Sequence, residues 1–208
     1  GEAANTVGAQ VVGALPSAGG QNAGQMLAGG LKAVVLLNTE PAFDAANGAA
    51  AAQAIGKAEM VVTMSPFKAN MDISDVLLPI SPFTETAGTF INTEGRVQSF
   101  HGVVKALGDT RPAWKVLRVL GSMLNVPGFE FETIEEVRAK AIPANVSAML
   151  SNASSAAVDV TPAAVQPAVA SIYQLDSLVR RAPSLQLTAD AKHPAGDAKH
   201  SAQMQGGL

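Results

Sequence analysis

The chain has 208 residues, 48% of them hydrophobic and 15% charged, and a net charge of −3. That balance allows a buried core and excludes wholesale disorder, and it provides no basic surface for nucleic acid. It contains no cysteine, which excludes disulfides and every cluster that needs thiolate ligands.

No apolar run approaches the ~20 residues that span a bilayer, so no direct membrane span is expected. The first residues, GEAANTVGAQ, lack the basic start and apolar stretch of a signal peptide. With no initiator Met, the chain reads as a mature or cut one that begins inside a domain.

Residues 1–30 are rich in Gly, Ala and Gln, with weak periodicity. The runs Ala33–Leu37 and Met60–Met64 are short, continuous and apolar. Between them Asn47–Ala58 is mostly alanine, with Asn47 placed to cap a helix. Two such β-runs joined by a helix predict a βαβ crossover in a parallel sheet. Asp75–Ile80 is a third run. Thr84–Gln98 reads as a polar loop and hairpin: Thr89-Phe90-Ile91 is β-prone, Asn92–Gly95 is a turn, and Gly88 and Gly95 mark a positive φ or a close backbone approach. Loops beyond the ends of parallel strands are where such folds bind ligands.

A helix is predicted from about Pro112 to Leu124, capped by Asp109 or Thr110. Its apolar stripe is Ala113, Val116, Leu117, Leu120, Met123 and Leu124. Another begins at Thr133, whose spacing to Glu136 is that of a capping box. Glu135 and Glu136 suit its first turn, Arg138 and Lys140 its last, and Pro143 closes it. The organisation expected is an α/β domain over 1–141, an extended arm over 142–188 with at most short helices, and a flexible tail over 189–208. Arg180-Arg181 reads as a salt-bridging or docking pair. His101 stands alone, and His193 and His200 fall in the tail, so neither a catalytic nor a metal site is expected. The G-x-G-x-x-G, P-loop and G-x-S-x-G signatures are missing.

The stretch DVLLPISPFTETAGTFINTEGRVQ, Asp75–Gln98, resembles a segment of molybdopterin oxidoreductases. The matching residues are Asp75, Val76, Leu78, Pro79, Glu85, Gly88, Thr89, Asn92, Glu94, Gly95, Arg96 and Gln98. Within that superfamily three further stretches are similar to the large iron–sulfur subunit of the NADH:quinone oxidoreductases (respiratory complex I). They are Gly108–Leu117, Phe129–Val137 and Ile172–Thr188, so the resemblance covers most of residues 5–188. Asn5–Ala9 resembles a loop that follows a strand in that fold.

The resemblance implies a Rossmann-like three-layer α/β domain with a parallel sheet, of the formate dehydrogenase and DMSO reductase type. It implies a longer parent whose missing N-terminal part holds the iron–sulfur clusters, with no cofactor in this chain. The role implied is structural, in a proton-translocating complex that passes electrons from NADH to quinone. The partners would be other peripheral-arm subunits, at the cytoplasmic face of a bacterial inner membrane. In that branch Arg96 is expected to hold the hairpin together by bonding Glu85, Glu94 or carbonyls beside Gly88.

Two other readings stand beside it. In an active molybdopterin oxidoreductase such as a formate dehydrogenase, Glu85, Gly88, Thr89, Asn92, Glu94, Gly95, Arg96 and Gln98 would border the cofactor. A stand-alone α/β binding module is the third, against which the missing phosphate loop counts.

Overall fold

A computed structural model describes residues 4–151, 153 and 171–192. The chain divides into two compact units: residues 1–38 with 54–156, and residues 39–53 with 157–208.

The first unit opens with helix α1 (Thr6–Val11), where the resemblance had suggested a loop. Helix α2 (Ala23–Leu27) follows, held at its start by a capping box between Asn22 and Gln25. Strand β1 is Ala33–Leu37. The connection to the next strand carries helices α3 (Pro41–Asp44) and α4 (Gly48–Ile55), and Asn47 Oδ1 accepts from the Ala50 N–H as expected of a cap. Strands β2 (Met60–Ser65) and β3 (Val76–Pro79) complete a parallel sheet of order β1-β2-β3. The predicted strand–helix–strand crossover is therefore present, with Ala33 opposite Met60 and Val62 opposite Val76.

Period-two alternation sorts the side chains. Leu36 and Val61 point to one face and form the buried core with Ile55; Leu27, Val34, Ala58 and Ile73 pack against it. Asp75 extends the ladder beyond β3: its N–H donates to Val61 O, and its carboxylate accepts the Val61 N–H at 2.7 Å.

Beyond the sheet, β4 (Gly88–Ile91) and β5 (Val97–Phe100) form the predicted antiparallel hairpin. Helix α5 is Ala113–Met123. Neither Asp109 nor Thr110 caps it. Pro112 is itself the N-cap, without a side-chain bond, and Thr110 instead closes a turn by bonding Leu107 O at 2.7 Å. The predicted stripe is only half covered: Met123 is 76% and Leu124 65% exposed, whereas Gly121 is buried. The Phe129 ring explains the difference, because it occupies the space where a Cβ at Gly121 would stand. Helix α6 (Ile134–Ala141) starts with the expected Thr133–Glu136 capping box, with Glu135 and Glu136 in its first turn and Arg138 and Lys140 in its last.

The second unit contains α3 and, from the C-terminal part, only short helices among the described residues. These are α7 (Ile172–Leu175), a 3-10 turn at Val179–Arg181, α8 (Pro183–Gln186) and α9 (Ala189–Lys192). The last lies where the sequence suggested a mobile tail. The linker positions 152 and 154–170 and the tail 193–208 lie outside the described residues.

Candidate functional site

The β4–β5 hairpin brings the motif residues together. Asn92 organises its turn: the carboxamide Oδ1 accepts the N–H groups of Glu94 (3.1 Å) and Arg96 (2.9 Å), and Gly95 N–H returns to Asn92 O. Gly95 has φ +80, a conformation that costs an L side chain roughly 1–2 kcal/mol. A Cβ there would also meet Leu150, and one at Gly88 would meet the Phe100 ring. Phe100 in turn stands edge-on to Phe90, centroids 5.5 Å apart. Thr89 and Ser99 share a hydrogen bond of 3.0 Å across the strands, and Arg138 of α6 donates to the same Ser99 hydroxyl. Glu85, in the 3-10 turn Phe83–Glu85, accepts the Leu107 N–H at 3.1 Å.

Arg96 corrects the sequence reading. Its side chain is exposed and has no ion pair or hydrogen bond among the described residues; only its backbone is engaged, the N–H with the Asn92 side chain and the carbonyl with the Asn92 N–H. The turn is closed by Asn92 and glycine geometry, which leaves the guanidinium nothing to clamp. Glu94 and Gln98 are exposed as well.

Asn5 is a partner the sequence reading missed. Its Oδ1 accepts the Ile91 N–H at 2.9 Å and its Nδ2 donates to Thr89 O at 3.4 Å, so a side chain from the chain start pairs with the free edge of β4. The adjacent cleft, about 320 Å³, is lined by Asn5, Gly8, Val12, Thr89, Ile91 and Ile142 among others, with no charged side chain.

A family model for molybdopterin oxidoreductases matches residues 1–123. The chain belongs to the molybdopterin oxidoreductase family. It is 30% identical over 106 residues to a nitrate reductase of Shewanella frigidimarina, covering 50% of this chain and 11% of that protein. It is 43% identical over 65 residues to the NADH-ubiquinone oxidoreductase 75 kDa subunit of Reclinomonas americana, covering 30% of this chain and 9% of that one. A formate dehydrogenase-like protein of Staphylococcus aureus is 44% identical over 52 residues, covering 25% and 5%. The matched stretches thus span about a tenth or less of these relatives' lengths.

The family name implies a molybdopterin, for which the hairpin glycines would have to leave a cradle. The approach at Gly88 is taken by Phe100 and that at Gly95 by Leu150. The Asn92 carboxamide oxygen, one carboxylate oxygen of Glu85 and the hydroxyl of Thr89 are engaged by neighbours in the chain. Gly88, Thr89, Asn92 and Gly95 in this arrangement do not fit such a group, whereas the side chains of Glu94, Arg96 and Gln98 stay exposed. Among the described residues no group of three or more His, Asp and Glu gathers as metal ligands, and His101 lies exposed beside Phe83 and Phe100.

The most connected polar cluster lies in the second unit. Arg181 grips Glu40 with both terminal nitrogens, at 2.7 and 2.8 Å, a fork-to-carboxylate pairing. Arg180 reaches Glu40 at 3.3 Å and Asp44 at 3.0 Å, stacks over the Phe43 ring at 4.7 Å and donates to the Gln174 carbonyl. Asp44 also accepts the Glu40 N–H at 2.7 Å. Burial pushes the Glu40 carboxyl up, but its hydrogen bond to Arg181 and the charges of Arg180 and Arg181 outweigh that and hold it below the ordinary value. The salt-bridging role expected of the arginine pair is present. Its acidic partners stand some 140 positions away, which no local pattern reveals.

Proposed function

We propose that this chain is a structural region of the iron–sulfur subunit of a proton-translocating NADH:quinone oxidoreductase. It supports electron transfer from NADH to quinone without holding a redox centre. The reading is carried by the hairpin: the family motif persists, yet its glycine approaches and most of its acceptors serve internal packing. Likeness to 75 and 78 kDa NADH-ubiquinone oxidoreductase subunits, at 43% and 40% identity over short stretches, supports it. In this reading the iron–sulfur clusters belong to another part of the parent protein, and the partners are peripheral-arm subunits at the cytoplasmic face of a bacterial inner membrane. No helix among the described residues is long and apolar enough to cross a membrane.

The second reading is the cofactor-contacting portion of an active molybdopterin oxidoreductase such as a formate dehydrogenase. The exposed side chains of Arg96, Glu94 and Gln98 favour it, as does the nitrate reductase likeness over half the chain.

Deletion of the gene region in its host separates the two. The first predicts loss of NADH-dependent quinone reduction by membranes, with formate and nitrate reactions intact. Unchanged NADH oxidation, or molybdenum in stoichiometric amount in the purified full-length protein, would reject it.

A further inference from the structure

We propose that the groove between β3 and α5, at the β3 flank of the second face of the β1–β2–β3 sheet, docks an amphipathic α-helix of a neighbouring chain whose apolar stripe is flanked by carboxylates. All-parallel sheets occur with both faces covered, because their strands are apolar on both sides. Here the face bearing Leu36 and Val61 is packed against Ile55. Register places Val35, Val62 and Val76 in one row of the other face, and Leu37, Met64 and Leu78 in the next. On that face Val35 is 52%, Leu37 44% and Val76 39% exposed, whereas Met64 on the central strand is fully buried, so the apolar exposure lies at the two flanks of the sheet. Beside it runs a groove of about 500 Å³, lined by Leu78 and by Val116, Val119, Leu120 and Met123 of α5. A groove with so much apolar lining marks an interaction site, and a groove between a strand and a helix suits the stripe of another helix.

Charge names the occupant. The groove is also lined by Arg111, Lys115 and Arg118 and by no carboxylate. Arg118 is paired with Glu132 at 2.8 Å. The Arg111 guanidinium bonds only carbonyls, those of Gly108 and Thr110, and Lys115 Nζ stands 5.4 Å from the centroid of the Trp114 ring. Neither has an ion pair among the described residues. Carboxylates beside an incoming apolar stripe would meet these two charges. A second copy laid face to face would bring the same cations together, which disfavours self-association.

The test titrates the full chain against two labelled helical peptides of about 18 residues, five turns. Both carry the same leucine stripe; one is flanked by glutamates, the other by lysines. Fluorescence anisotropy should show the glutamate peptide binding at least about tenfold more tightly, with the preference shrinking at high salt. Met123→Glu should weaken both peptides, and Lys115→Glu should reverse the preference. Both positions are exposed, so thermal unfolding near that of the unaltered chain verifies folding. Equal binding of the peptides, binding of neither, or a dimer of the chain that Met123→Glu dissolves would overturn the proposal.

Discussion

A single carboxamide closes the β4–β5 turn. Asn92 Oδ1 holds two backbone donors, so Asn92→Ala leaves both without their acceptor. The expected loss is about 1–2 kcal/mol, whereas Arg96→Ala, at an exposed side chain, should stay within about 0.5 kcal/mol of the parent. Thermal and urea unfolding of the two variants side by side checks the ranking. The two hairpin glycines separate by cause. Gly88 has ordinary backbone angles and is constrained only by the Phe100 ring, while Gly95 carries a positive φ besides its contact with Leu150. Gly88→Ala should therefore be largely rescued by Phe100→Leu. Gly95→Ala should keep a deficit of roughly 1–2 kcal/mol even beside Leu150→Ala. Double-mutant cycles read that difference directly.

Helix α6 and the arginine cluster show how elements are held at their ends. The α6 box satisfies orphan amides of the first turn: Glu136 accepts from Thr133 N and Glu132 N, and Thr133 Oγ1 accepts from Glu136 N. Thr133→Ala should cost about 1 kcal/mol, measured by chemical denaturation. In the second unit the Glu40 and Arg180 side chains are only 7% and 5% exposed, so removing one partner strands the other. Glu40→Ala should cost about 3–5 kcal/mol of that unit's stability.

The sign of the pH dependence follows from Glu40's lowered value. Its contribution is complete above the unfolded value near 4.5 and fades as pH falls through the lower folded value. Glu40→Gln should flatten the stability profile below about pH 4.5. Following unfolding from pH 7 into the acid range, with and without the substitution, tests this. An equal acid loss in both proteins would rule out Glu40 as its source.

At the scale of the molecule, a family fold leaves apolar side chains exposed at the flanks of its sheet among the described residues. The second face of the parallel sheet exposes Val35, Leu37, Met60 and Val76 around a buried Met64, and apolar patches of this kind bind apolar dyes and partners. The chain alone should enhance the fluorescence of an anilinonaphthalene dye under native conditions. Val35→Thr with Leu37→Lys should reduce that signal without lowering the unfolding temperature. A native chain silent to the dye would mean that the face is covered.

Elements whose causes are local were legible in the amino-acid order alone. Apolar β-branched runs became the three strands, the Thr133–Glu136 spacing became a cap, and Asn92–Gly95 became a turn, because each rests on contacts within a few residues. The Asp75–Gln98 stretch resembles the molybdopterin oxidoreductases, and the family match over residues 1–123 bears that resemblance out. Only the tertiary structure decided which side chains meet across long separations. Asn5 on β4, Phe129 against Gly121, and Glu40 and Asp44 with the arginine pair join residues from 8 to 141 positions apart. The error at Arg96 has the same root. A guanidinium with several carboxylates nearby in sequence looks paired, but direction and burial choose its partners, and here the backbone points it to solvent.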